Sequence, residues 1–140
     1  MSNGILGIGV CTLDILTHTS TFPATGDVEE ANAALVMGGG PVATALAAAA
    51  SLGTRTTMLD RLGGDWRSRL ILEQLEAQGV ACNEVRIEPA AEASLASVWV
   101  RAADGARAIR FIRSTARPLS AEEIKPDLVT VAMSGFGATG

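Results

Sequence analysis

Cysteine, histidine and aromatic residues are scarce in this 140-residue chain, which has two cysteines, one histidine, three phenylalanines, two tryptophans and no tyrosine. Two unpatterned cysteines exclude a disulfide framework and a thiolate metal site. Cys11, in an apolar strand-like segment, and Cys82 are expected to be reduced packing residues. The lone His18 lies in a polar stretch and reads as a surface residue. With so few aromatics, the core has to be built from Ala, Val, Leu and Ile. No apolar run approaches the ~18 residues that span a bilayer, since Asp14 interrupts the first and the alanine-rich segment is about 12 long. A membrane protein is therefore not expected. The N-terminus has no basic segment and no small-residue cleavage site, so nothing argues for export and the cytoplasm is the expected compartment. Excess positive charge is also missing. A formal charge of −4 gives no reason to expect nucleic acid. Arg101, Arg107, Arg110 and Arg113 do cluster, but they alternate with Ala and Ile as on the solvated face of a strand pair.

There are no internal repeats and no low-complexity linkers, so the chain reads as one α/β domain, long enough to bury roughly two-thirds of its unfolded surface. Short β-rich apolar runs predict a strand over 5–10 and a second extended piece over 13–16. A turn is expected over 22–27, and a further strand over 29–37 despite its alanine content. The small-residue segment 41–52 predicts a helix, with Gly53 placed to end it in the left-handed conformation. Strands are expected over 55–60, 80–87 and 127–133. Between the first two, Asp65 can cap a helix that runs to about residue 78, where Gly79 stops it. Asp104-Gly105 between the alternating runs 94–101 and 107–113 predicts a hairpin. Ser120 and Glu123 have the spacing of a capping box, and Pro126 limits that helix to a turn or two.

The most informative segment is Gly38-Gly39-Gly40-Pro41, directly ahead of the alanine-rich helix. Glycines let a ligand approach the main chain, and the first N–H groups of the helix offer donors to hydroxyl or anionic oxygens. Pro41 suits the first turn, where its missing N–H costs nothing. Read alone, the run could equally be a tight strand-to-helix turn whose small residues serve packing, and Asp14 a turn carboxylate.

Several pieces in order resemble the N-terminal half of the ribokinase-like, or PfkB-type, carbohydrate kinases. Gly7-Ile8-Gly9 leading to Asp14 is similar to the family's opening strand and its substrate-binding aspartate. Residues 23–26 resemble its Pro-x-x-Gly turn. Gly39-Gly40, the small-residue helix and Leu52-Gly53 match its first signature, and Gly63-Gly64-Asp65 with Gly79-Val80 resemble its Gly-Asp-Asp segment and the helix beyond. The resemblance implies a mostly parallel central sheet with flanking helices plus an antiparallel β lid. Residues 1–140 would be the N-terminal part of such a domain, with lid strands about 11–38 and 94–113. It implies a sugar pocket of Asp14, Gly38, Gly39, Gly40 and Thr44 under lid residues Ser94, Ala96 and Val98, and a possible homodimer through the lid. Fixed acceptors and backbone donors suit a ligand with several neutral hydroxyls. Thr44 stands where many members have an asparagine, Gly64 replaces the first aspartate of the usual pair, and Ser68 replaces a common glycine. A furanose, a hexose or a nucleoside therefore all stay open as substrate.

Phosphoryl transfer also needs a base, an anion site for the transferred group and usually Mg²⁺. The family supplies these from its second half, through a Gly-Ala-Gly-Asp segment that does not occur here. The expected catalytic and metal-binding residues in this chain are therefore none. ATP and Mg²⁺ belong to the complete enzyme, and the chain alone is expected to be inactive and prone to association through an open sheet edge. A non-catalytic carbohydrate-binding or oligomerisation module is the alternative. A Rossmann-type nucleotide site at Gly7-x-Gly9 is disfavoured because Thr12 stands in the place of the third glycine.

Overall fold

The computed structural model describes residues 4–26 and 28–124, together with the backbone of 130–132. Four parallel strands make the central sheet: β1 (Gly4–Ile8), β4 (Arg55–Leu59), β6 (Val80–Ala81) and β10 (Thr130–Ala132), in the order β10-β1-β4-β6. The remainder of the strand expected over 127–133 lies outside the described residues. Helix α1 (Pro41–Ser51) buries Val42, Ala43 and Leu46, and helix α2 (Trp66–Ala77) buries Ile71 and Leu75. These side chains meet Leu13, Met58, Leu62 and Val80 in one core, which is aliphatic, as the composition requires.

A second, mixed sheet contains β2 (Thr12–Thr19), β3 (Ala33–Gly39), β8 (Ser94–Arg101) and β9 (Arg107–Ile112), ordered β3-β2-β8-β9. Its outer pairings, β2 with β3 and β8 with β9, are antiparallel, whereas the inner pair β2 and β8 is parallel. The parallel pair arises because the chain leaves β3, builds α1 through α2 and only then returns as β8. The hairpin turns at Gly105, whose φ is +71°, and Arg101 grips Asp104 through two hydrogen bonds of 2.9 and 2.7 Å.

Two expected elements differ. The strand expected over 29–37 starts at Ala33 and runs on to Gly39. The strand expected over 80–87 is split: β6 pairs with β4 in the central sheet, while β7 (Arg86–Glu88) pairs with β5 (Arg61–Gly63) in a separate two-stranded sheet. The Val85 N–H donates to the Cys82 carbonyl in a turn, and the Arg86 N–H donates to the Asp60 carbonyl, so the chain changes partner at residues 82–86.

Asp65 caps α2 as its position predicts. Its Oδ1 accepts from the Ser68 N–H at 3.2 Å, the Ser68 hydroxyl at 2.7 Å and the Ala93 N–H at 3.2 Å. Partial burial works against its ionisation, but these donors and Arg67 more than offset it and hold the carboxyl below its usual range. One side chain thus ties the start of α2 to the start of β8. Asp65→Ala is expected to cost about 1–2 kcal/mol through the lost cap, read as a lower urea midpoint; an unchanged midpoint would mean that water replaces the carboxylate at both places.

Candidate functional site

Successive side chains of a strand alternate between its faces, so Thr12 and Asp14 share one face of β2. The Thr12 hydroxyl donates to Asp14 Oδ1 at 2.7 Å and fixes the carboxylate. Gly39 lies opposite Thr12 in the β2–β3 register, and a Cβ there would stand 2.2 Å from Asp14 Oδ2. Only a glycine lets the strand pass this close behind the carboxylate. Gly40 then turns the chain into α1 with φ +98°, and a Cβ would meet the Val10 carbonyl oxygen at 2.2 Å. No side chain caps α1, so the N–H groups of its first turn have no intrahelical partner. Thr44 follows one turn into the helix.

On the other side, β8 places Ala96 opposite Asp14 and Val98 opposite Leu16. Together with Ile109, Phe111 and Arg113, these residues enclose a cleft of about 650 Å³, lined also by Thr12, Asp14, Gly40, Pro41 and Thr44. That volume falls within the usual range for small-molecule sites. Of the residues expected from the sequence, Asp14, Gly40, Thr44, Ala96 and Val98 line one cleft. Gly39 backs the carboxylate from behind.

Gly38 and Ser94 do not line this cleft. The Gly38 N–H donates to the side-chain oxygen of Gln74 on α2, whose amide nitrogen donates to the Val36 carbonyl at 3.3 Å. Gln74 thereby acts as a surrogate strand along the outer edge of β3 and steadies the glycine turn. Ser94 is buried, and its hydroxyl accepts the Ser114 N–H at 3.0 Å.

Ser94 instead lines a second cleft of about 330 Å³ that shares Phe111 and Arg113 with the first and is bounded also by Cys11, Asp60, Arg61 and Arg117. Asp60 accepts the N–H groups of Cys11 and Arg61, each at 2.8 Å. Burial nonetheless pushes its carboxyl up to about 6. Burial, with Asp60 beside it, also pushes the Cys11 thiol up, and burial with Glu76 takes Cys82 to about 11. Both cysteines are free thiols.

Arg61, Arg86 and Arg117 converge on Glu123. The Ser120 N–H holds that carboxyl well below its usual range, against some burial and with help from Arg117 and Arg61. Ser120 and Glu123 form both halves of the expected capping box, on a single 3-10 turn.

Thr12, Phe111 and Arg113 escaped the sequence reading as site residues. The available signal was parity. Residues 109, 111 and 113 share one strand face, so Arg113 belongs with Ile109 and Phe111, while Arg110 belongs to the opposite face.

Residues 4–134 match the sequence model described as pfkB family carbohydrate kinase. Deoxyribokinases of Salmonella typhi and Salmonella typhimurium are each 30% identical to the chain over 117 residues, which is 84% of this chain and 38% of the relative. A ribokinase of Arabidopsis thaliana, solved in complex with ribose and ATP, is similar with a TM-score of 0.68 at 27% identity, over 80% of this chain and 36% of that one. The ribokinase of Cryptococcus neoformans in complex with ADP gives a TM-score of 0.75 at 20% identity, over 94% and 42%. The chain has the N-terminal part of the ribokinase fold and spans about two-fifths of the length of these proteins.

Proposed function

Because the chain belongs to the PfkB family of carbohydrate kinases, we propose that it carries the sugar-binding part of an enzyme that moves the γ-phosphoryl group of ATP to a carbohydrate hydroxyl. The observation that supports this most directly is the single cleft shared by Asp14, Gly40 and Thr44 on one wall and Ala96 and Val98 on the other. A fixed carboxylate can accept two sugar hydroxyls, and the first turn of α1 can donate to others. The strands around residues 11–38 and 94–113 act as the lid in this reading. Ser94 and Gly38 support its walls from outside the cleft, and Gly39 leaves room for the carboxylate.

Among the described residues, no group of three or more His, Cys, Asp or Glu could hold a metal ion. In this reading Mg²⁺ and ATP belong to the complete enzyme. The Gly-Ala-Gly-Asp segment that supplies the family's base is also absent from the 140 residues. A small sugar or nucleoside in the cytoplasm is the partner this reading implies. No helix among the described residues is long and apolar enough to cross a membrane. Among the described residues, β9 pairs only with β8, and its open outer edge is suited to a homodimer through the lid.

The test is thermal stability against a panel of sugars and nucleosides, with and without Mg-ATP, since a ligand that binds only the folded state raises the melting point. Asp14→Ala is expected to weaken sugar binding by about 100-fold, the loss of a charged acceptor shared by two hydroxyls. A sugar-dependent shift that survives this substitution would remove Asp14 from the site. The second reading, a carbohydrate-binding module without catalysis, predicts sugar binding with no phosphorylation by the complete product of the reading frame.

A further inference from the structure

The parallel ladder between β1 and β4 ends at Ile8 and Leu59, and Gly9, Val10 and Cys11 then carry the chain from the central sheet to the start of β2. This link is held between two supports. On one side lies the glycine turn, where a Cβ on Gly40 would stand 2.2 Å from the Val10 carbonyl oxygen and 3.4 Å from the Cys11 Cα. On the other is Asp60, directly after β4. Its Oδ2 accepts the Cys11 N–H and its Oδ1 the Arg61 N–H, each at 2.8 Å, so the carboxylate extends the pairing of β1 with β4 past the point where the backbones separate. Cys11 is followed by Thr12, which lies opposite Gly39 and whose hydroxyl fixes Asp14. A shift of Cys11 therefore moves the carboxylate of the sugar cleft and the glycine turn beside it together.

We propose that Asp60 is a positioning residue for the sugar site, whose two-oxygen hold on Cys11 and Arg61 sets where Thr12 and Asp14 stand, so that protonating Asp60 weakens sugar binding. This rests on the sugar-site reading above and adds to it a control by pH. Asp60 lines the smaller cleft and not the larger one, so a proton reaches it from outside the sugar site. On Oδ2 that proton takes away the acceptor of Cys11; on Oδ1 it releases the rotamer that aims Oδ2. The side chains of the smaller cleft that carry charge or titrate are Arg61, Arg113, Arg117 and the Cys11 thiol. Arg86, whose N–H meets the Asp60 carbonyl, joins Arg61 and Arg117 on Glu123. Guanidinium groups stay charged. Glu123 is held well below its usual range, and burial pushes up the thiols of Cys11 and of Cys82, packed against the same core. Asp60, pushed up to about 6 by burial, is the one of these groups that changes charge just below neutral pH.

The experiment is calorimetric binding to the complete product of the reading frame from pH 5 to pH 7.5. Ribose, 2-deoxyribose, fructose, glucose and uridine serve as probes, since none of them titrates in that range. The affinity of a bound probe is expected to fall about fivefold from pH 7.5 to pH 5, the loss of roughly one hydrogen bond. Titrations in buffers of different ionisation enthalpy count protons. Release of about 0.4 proton per sugar is expected at pH 6, because the bound state favours the charged carboxylate. Asp60→Asn, which keeps one acceptor and cannot change charge, is expected to bind more weakly than the native chain at pH 7.5 and to lose both the pH dependence and the proton release.

An affinity that stays constant across the range without proton release would overturn the inference and leave the sugar site standing. So would proton uptake, or a pH dependence that persists in Asp60→Asn, which would assign it to another group such as Asp14 or His18. If the variant does not fold, the pH of greatest proton release by the native chain decides: between pH 5 and 6 supports Asp60, and below pH 5 overturns it. If no probe binds at any pH, the sugar-site reading itself fails, and this inference with it.

Discussion

Alanine in place of Gly40 is expected to lower stability by about 3 kcal/mol, or roughly 10 °C in melting temperature. Two costs combine. The backbone at φ +98° and ψ 140° lies in a region essentially reserved for glycine, which alone costs on the order of 1–3 kcal/mol. The added Cβ would also sit 2.2 Å from the Val10 carbonyl oxygen, so the β1–β2 bend or the start of α1 must move. Either movement displaces the first turn of α1 from Asp14, so sugar affinity should fall together with stability. Differential scanning calorimetry with a sugar titration checks both. An unchanged melting point would mean that the Val10 carbonyl swings aside at little cost and that the tight turn is incidental.

The second large effect is a dependence of stability on pH carried by Asp60. Its carboxyl titrates near 6 in the folded chain against an ordinary value of 3.8, because burial disfavours the charge. Below the ordinary value both states are protonated and the group costs nothing. As pH rises from 3.8 towards 6 the unfolded chain releases the proton first, so stability falls, by up to about 3 kcal/mol once both states are ionised. Asp60→Asn removes this titration but leaves one acceptor for two N–H groups, Cys11 and Arg61. The quantity to measure is therefore the difference between native chain and variant in urea midpoint at pH 4 and at pH 7.5. The native chain should lose ground to the variant as pH rises. A difference that does not change between the two pH values would show that the carboxylate is fully solvated where it stands. Asp65 and Glu123, whose carboxyls are held below their usual range, act in the opposite direction, favouring the fold as pH rises, and cancel in this comparison.

Local signals were legible wherever one residue does one job with near neighbours. Asp65 three residues before Ser68, Gly53 after an alanine-rich helix, Asp104-Gly105 between alternating runs and Ser120 three before Glu123 all act within a turn of chain, and the structure realises each. The glycine run announced a close approach, though what approaches Gly39 is Asp14 from the neighbouring strand. Partnerships between distant segments were not legible. Nothing local says that residues 86–88 leave the central sheet to pair with residues 61–63, or that Gln74 would stand in for a strand beside Gly38. The arginine cluster on Glu123 gathers residues from three separate segments, and no spacing could announce it. Arg113, grouped with its neighbours by charge, read as solvated, and it is exposed; what charge grouping did not reveal is that counting by twos along the strand puts it at the cleft beside Ile109 and Phe111.

The parallel pairing of β2 with β8 also bears on how the chain reaches this shape. Thr12 and Asp14 lie beside Ser94 and Ala96, so closing that ladder joins positions about 80 residues apart, the kind of long-range pairing that forms slowly. Everything that orients Asp14 from its own side, namely the Thr12 hydroxyl, the glycine turn and α1, is available to the first half of the chain as it emerges. The opposite wall is not. During synthesis the segments that orient the carboxylate therefore emerge before the wall it faces, and the inner edge of β2 has no partner strand until β8 arrives.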